Sequence, residues 1–491
     1  MKGARGKGLG GRAALAAFPL APFPLLVLFL VSVLSAQAAK RPVPFADIKP
    51  AIESLREDFL PAEFRGVAPA QAEAQWPDWV ARRDAAIRAR VEGGDEDSII
   101  HFLLFGTTFT KAPRASERDL AALATAPADG IRALRARIDD FAAAVGSPGA
   151  NERLQFARQL VERKGIFKSA GGEPVDPSTD PGRAALRRYL DERTQAVGGS
   201  VRSATVLDPA ADLAAKLTVF RERGLSADTS IFVDLALERA LDGMKAGGAL
   251  RPGSVRRVAI VGPGLDFTDK LEGYDFYPEQ TLQPFAVIDT LLRLDLGDPE
   301  QLRATAFDLS PRVLRHLEAA RMRAGGGAPY PVVLPRNAER PWSPELVEYW
   351  QQFGNWIGER ATKLPPAPAA AGRVEVRGIA IRPSVVLSVT PVDLNIVTER
   401  IELAESDQFD LVIATNILLY YDVFEQMMAS ANIARMLRPG GFLLTNNRIF
   451  ELPGSPLSGA GFADVTYMSL TGIGDTGDRV IWYQKEPRNA F

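Results

Sequence analysis

From Arg256 onward, short apolar runs alternate with stretches whose apolar residues recur at helical spacing, and this alternation constrains the fold most. The runs Val258–Val261, Thr305–Leu309, Ser384–Val389, Leu411–Thr415 and Phe442–Thr445 read as strands. Helical patterns cover about 284–294, 311–323 and 423–437. Short strands apolar on both faces and joined through helices make a parallel sheet covered on both sides. The chain closes on "FADVTYMSLTGIGDTGDRVIWYQKE", two strand patterns around a Gly/Asp-rich turn, which predicts an antiparallel hairpin.

The residues before the alternation read differently. Residues 39–250 are predominantly helical and charged: "GIRALRARIDDFAAAV" puts Ile131, Leu134, Ile138 and Phe141 on one face. "NERLQFARQLVERKG" stops naturally at Gly165, and "GGEPVDPSTDPG" is a loop by composition. "SIFVDLALERALDGMKAGG" is a helix that leads into the first strand. A chain of 491 residues is long for one core. The expected organisation is a helical domain over 39–250 and an α/β domain over 251–491, with an insertion at about 325–372. The insertion holds "PWSPELVEYWQQFGNWIGER", read as one aromatic-rich helix, and the linker-like "KLPPAPAAAG".

Residues 1–38 have the order of a targeting segment. Lys2, Arg5, Lys7 and Arg12 precede an apolar stretch over 13–34, and Ala36 and Ala38 follow as small residues two apart. This predicts either an export signal cut after Ala38, giving an exported or periplasmic protein, or an inner-membrane anchor through residues 13–34. Losing those four positive charges takes the net charge from −2 to −6, so no basic field exists to hold nucleic acid. The absence of cysteine excludes disulfides, thiolate metal sites and cysteine nucleophiles. His101 and His316 are the only imidazoles, too few for a multi-histidine metal site, and no metal is expected.

Three strand ends can carry chemistry. The first strand breaks into Gly262-Pro263-Gly264, a turn that lets the backbone approach a ligand. In open α/β sheets, ligands bind beyond the carboxyl ends of the strands, where this turn falls. Asp308 ends the second strand, and Ser310-Pro311 opens the next helix. A carboxylate there can accept both hydroxyls of a ribose. The third is "QFDLVIATNILLYYDVFEQMMASANIARMLRPGGFLLTNN", with a strand ending at Thr415-Asn416 and a D-x-x-E capping signature at Asp422 and Glu425.

Together these stretches resemble class I S-adenosylmethionine-dependent methyltransferases, over about 251–320 and 373–486. "NILLYYD" followed by "MLRPGGFLL" is most similar to the chemotaxis-receptor branch, and "FDLSP" to the second-strand motif of the class. The resemblance implies a Rossmann-like methyltransferase sheet ending in the antiparallel hairpin, with S-adenosyl-L-methionine as cofactor and a methyl acceptor that the sequence does not identify. It implies that Gly262 and Gly264 flank the methionine part, Asp308 holds the ribose and Asp393 lies near the adenine. Asn416 would sit beside the sulfonium and Tyr420 near the methyl group, as the catalytic pair.

The first-strand turn departs from the family pattern. Ile260 stands where the family has an acid, and Asp266 stands at its last glycine. Asp266 and Asp269 are the candidates to bind the cofactor's amino group instead. The lengthened loop "LEGYDFYPEQTLQPF", with Tyr274, Phe276, Tyr277 and Phe285, is a candidate cover for the cofactor or acceptor. Two other functions stay open: a non-catalytic exported binding protein on the same fold, and a nicotinamide-dependent oxidoreductase. The missing third glycine of G-x-G-x-x-G and the terminal hairpin both argue against the latter.

Overall fold

A computed structural model describes residues 39–169, 171–206, 224–269, 272–451, 455–470 and 474–487. The leader pattern and its cleavage site lie outside these. A short strand, β1 (Lys40–Pro42), and helix α1 (Phe45–Ser54) lead into α2 (Pro69–Phe105). Its 37 residues make a rod about 55 Å long. Helices α3 (Glu117–Thr125), α4 (Pro127–Ala133), α5 (Arg135–Gly146), α6 (Glu152–Arg163) and α7 (Asp180–Val206) pack around its C-terminal half. Local chemistry sets their ends. Ser116 and Asp119 form a reciprocal capping box on α3, and Asn151 caps α6. The single helix expected over 130–145 is broken at Leu134, where Pro127 starts α4 and α5 begins anew, yet Ile131, Leu134, Ile138 and Phe141 remain on one buried face.

Helix α8 (Ile231–Ala246) packs on the sheet rather than on the helices before it. The sheet follows: β2 (Arg257–Val261), α9 (Gln283–Arg293), β3 (Arg303–Asp308) and α10 (Pro311–Gly325). The stretch expected as an insertion holds β4 (Tyr330–Asn337), α11 (Pro344–Gln352) and β5 (Gly358–Arg360). With β6 (Val374–Ile381) its two strands form a separate three-stranded antiparallel sheet. The aromatic helix is shorter than its pattern suggests, because Gly354, at φ +83°, turns the chain toward β5.

Then come α12 (Pro383–Leu387), β7 (Val389–Asp393), β8 (Glu399–Ile401), β9 (Phe409–Ile413), α13 (Val423–Met436) and β10 (Leu437–Thr445). Strands β11 (Leu457–Leu470) and β12 (Gly474–Lys485) end the fold. The strand expected over 384–389 is a correction. Pro383 occupies the first turn of a short helix, and the strand starts at Val389. That strand is the sheet edge, which is where its Pro391 is tolerated.

The main sheet runs β11-β12-β10-β9-β2-β3-β7. Strands β7, β3, β2, β9 and β10 are parallel, and β12 lies antiparallel between β10 and β11. Numbered along the chain, these seven strands take the order 3-2-1-4-5-7-6. This is a mostly parallel, Rossmann-like sheet closed by the C-terminal hairpin, the arrangement that the sequence resemblance implies. The order reverses between β2 and β9, so a crevice opens above their carboxyl ends.

Residues 39–491 make one compact unit. Phe267, from the long loop after β2, is fully buried between Phe102 and Phe156 of the helical core, at ring distances of 5.8 and 5.5 Å. Among the described residues, no helix is long and apolar enough to cross a membrane.

Candidate functional site

At the switch point lies a cavity of about 290 Å³. Its floor is the turn after β2. Gly262 and Gly264 both sit at φ +67°, a left-handed backbone that glycine adopts without strain. A Cβ on Gly264 would lie 2.4 Å from the Ala227 carbonyl oxygen, and one on Gly262 would lie 2.2 Å from Ile417 Cδ1. The turn is therefore pressed between two loops that leave no room for a side chain.

Asp308 closes one side. Its carboxylate accepts the Ser310 backbone N–H at 2.7 Å and faces the N–H groups of Leu309 and Gly264. Burial dominates over these donors and pushes its pKa up to about 6. The Ser310 hydroxyl lines the same wall, buried and without a protein partner. Beyond Asp308, Leu394 and Ile396 supply apolar surface.

The end of β9 closes the opposite side. Asn416 adopts φ +57°, uncommon for a residue other than glycine. Its backbone N–H donates to Asn446 Oδ1 at 2.8 Å, and the Asn446 amide donates back to Asn416 Oδ1, which ties the ends of β9 and β10 together. Tyr420 lies in a 3₁₀ turn (Leu418–Tyr420), and Arg90 of α2 donates to its carbonyl at 2.8 Å. The Arg90 guanidinium also stands over the Tyr421 ring. Asp422 and Glu425 form the capping box that the sequence signature implies, and Arg83 pairs with them at 3.2 and 2.6 Å. Past Arg90 and Asp422 opens a groove of about 700 Å³, with Trp79, Arg82 and Phe424 in its walls.

The third wall carries residues that sequence reasoning did not single out. The segment Leu225–Ser230, ahead of α8, supplies Ser226, Asp228 and Thr229. Asp228 bridges Leu265, and the Leu265 N–H donates to the Ala227 carbonyl at 2.6 Å, which stitches this segment to the glycine turn. The only sequence signal was its Ser/Asp/Thr/Ser composition before a helix. Gln283 and Thr415 complete the wall, joined at 2.8 Å.

The structure thus brings Gly262, Gly264, Asp308, Asn416 and Tyr420 around one cavity. It leaves three sequence candidates outside. Asp266 is buried beneath the loop, where it accepts from Tyr277 Oη at 3.1 Å and Gln280 Nε2 at 2.9 Å; burial pushes its pKa up to about 6. Asp269 holds the following turn, with its backbone N–H on the Tyr274 carbonyl and its carboxylate on the Glu272 N–H. Asp393 is exposed and pairs with Arg88 at 2.7 Å and Lys40 at 3.8 Å. The aromatic loop is no cover for the cavity. Tyr274 and Tyr277 pack against Val333 and Ala371 beside the small sheet, and Phe285 belongs to the main core. His316 is structural: it lies 2.8 Å from Tyr330 Oη, and burial lowers its pKa to about 4.

No protein-family model matches the chain, and no curated protein matches it. Solved structures do. It is similar to the glycopeptide N-methyltransferase MtfA complexed with S-adenosylmethionine, at 12% identity over 52% of this chain and 94% of that one, with a TM-score of 0.22. It is also similar to an O-methyltransferase family 2 protein from Planctomyces limnophilus (12% identity, 75% and 91% covered, TM-score 0.22). A third is an O-methyltransferase family protein from Burkholderia thailandensis (10% identity, 86% and 100% covered, TM-score 0.22). The assignment of the fold rests on the strand order and register, not on these superpositions.

Proposed function

We propose that the chain is a methyltransferase that binds S-adenosylmethionine in the cavity above β2 and transfers its methyl group to an acceptor. The observation that carries this reading is the charge of the wall. Among the described residues, two carboxylates, Asp228 and Asp308, line the cavity, and no Lys, Arg or His does. S-adenosylmethionine carries a net positive charge, from a sulfonium and an ammonium set against one carboxylate. A nicotinamide dinucleotide would bring a diphosphate beside two carboxylates with no cation to neutralise it, a costly arrangement in a partly buried site. The dinucleotide motif also needs a helix N-terminus directly after the glycine turn. Here the next helix starts only at Gln283.

The residues divide the work. Asp308 accepts from the ribose hydroxyls, and Leu394 and Ile396 flank the base. The glycine turn lets the backbone approach the methionine part. When bound, the cofactor supplies an already activated sulfonium methyl, so positioning the acceptor provides much of the rate. Asn416 and Tyr420 stand on that side. Tyr420 orients and desolvates an acceptor that enters from the groove beyond Arg90. The kinship with the chemotaxis-receptor branch rests on Asn416–Gly441 alone and belongs to the same proposal. So does the compartment: an inner-membrane anchor through residues 13–34, with the folded body on the cytoplasmic side, gives the enzyme access to a cofactor made there.

Titrating the full chain separately with S-adenosylmethionine and with NADH tests the reading. The expected result is a raised melting temperature with the first and no quenching of NADH fluorescence with the second. Quenching of NADH without any effect of S-adenosylmethionine would establish the oxidoreductase instead. No effect of either ligand would favour the non-catalytic binding protein.

A further inference from the structure

The methyltransferase reading leaves the cofactor's amino-acid end without its usual acid. Ile260 is fully buried, Asp266 is engaged by Tyr277 and Gln280, and Asp269 lies outside the cavity. Resting on that reading, we infer that Asp228 binds the cofactor's α-ammonium group. The role has moved from the sheet to the segment that precedes α8, which the resemblance does not cover.

Position argues for it first. Strand β2 lies between β9 and β3. A ligand with its ribose at Asp308 and its methyl toward Asn416 and Tyr420 carries its third arm over the β2 turn. Asp228 is there: it bridges Leu265, one residue past the glycine turn, and it lines the cavity. Charge argues for it next. Of the two carboxylates in the wall, Asp308 serves the ribose, so Asp228 is the one that meets the ammonium. Finally, the group is held in place. Ser98 Oγ of α2 lies 3.1 Å from its Oδ1, and Ser226 Oγ lies 3.2 Å from its Oδ2. Ser98, from the helical half of the molecule, is itself 1% exposed, and its one hydroxyl proton is shared between this carboxylate and the Gly94 carbonyl, also at 3.1 Å.

The test compares two ligands on the full chain by calorimetry. S-adenosylhomocysteine has the amino-acid arm; 5′-methylthioadenosine keeps the adenosine and sulfur but lacks it. Asp228→Asn should weaken S-adenosylhomocysteine by about tenfold to a hundredfold, the range for a hydrogen bond to a charged group, and leave methylthioadenosine unchanged. Unchanged methylthioadenosine binding also shows that the variant is folded. Asp308→Asn should weaken both ligands. Should Asp228→Asn not fold, Ser98→Ala must still lower affinity for S-adenosylhomocysteine alone. Equal loss of both ligands, or loss of neither, overturns the role of Asp228 while leaving the cofactor reading intact. A wild-type chain that binds neither ligand overturns the cofactor reading and this inference with it.

Discussion

Asp234 sits one turn into α8, 1% exposed, with neither carboxylate oxygen hydrogen-bonded. The Gln283 side chain beside it favours the charged form, but less than burial disfavours it. Burial pushes its pKa up to about 8, so it is protonated at neutral pH. Between about pH 4 and pH 8 the unfolded chain has lost this proton and the native chain keeps it, so stability falls as pH rises through that window. The cost by pH 8 is on the order of 5 kcal/mol. Asp234→Asn should therefore melt higher than the wild type at pH 8 and approach it near pH 4; equal melting temperatures at both pH values would contradict the assignment. Asp308 titrates from the same cause at about 6, with the Arg312 charge acting in the opposite sense. Its ionised form is the one that accepts from both ribose hydroxyls, so S-adenosylmethionine should bind several-fold more weakly at pH 5 than at pH 7.5. Asp308→Asn should flatten that dependence in a calorimetric series. The strand-end residues were legible because each belongs to a local motif that carries its own context. Asp228 was not, because only the tertiary meeting of Leu225–Ser230 with the glycine turn makes it part of the cavity.

The glycine turn and the irregular first half of β10 give two substitutions that share a backbone conformation and differ in surroundings. Gly264, at φ +67°, would place a Cβ 2.4 Å from the Ala227 carbonyl oxygen, whereas Gly440, at φ +76°, would meet nothing closer than 3.8 Å. Gly440→Ala should cost about 1 kcal/mol of backbone strain and leave ligand binding alone. Gly264→Ala must also displace the Leu225–Ser230 segment, so it should lose more stability and abolish binding of S-adenosylmethionine. Chemical denaturation paired with calorimetry separates the two effects; equal behaviour of both variants would contradict the close approach. The elements were largely legible where helical periodicity was long, as in α6 and α13. They were less so where a short apolar run fits both periods: "SVVLSV" forms a helix because Pro383 starts one, and the strand follows it. The small antiparallel sheet was missed because one of its strands, β5, has three residues and the other two are separated by the aromatic helix.

At the scale of the molecule, helices and sheet share one unit, and the long loop after β2 is the joint between them. Arg153 of α6, 3% exposed, donates to the carbonyls of Phe267 and Tyr277, and Phe267 fills the helical core. A single cooperative unfolding transition is expected for residues 39–491. Phe267→Ala should lower its free energy by about 3–5 kcal/mol; two resolved transitions in the wild type would show instead that the halves fold separately. The same joint fixes the cavity, because α2 contributes Val91 to its wall and Arg90 to the Tyr420 turn. By this reading the cavity wall, which among the described residues carries two carboxylates and no cation, receives S-adenosylmethionine. Isothermal titration of the full chain at pH 7.5 tests it most directly. The account predicts saturable one-to-one binding that Asp308→Asn weakens; no heat of binding at millimolar S-adenosylmethionine would contradict it.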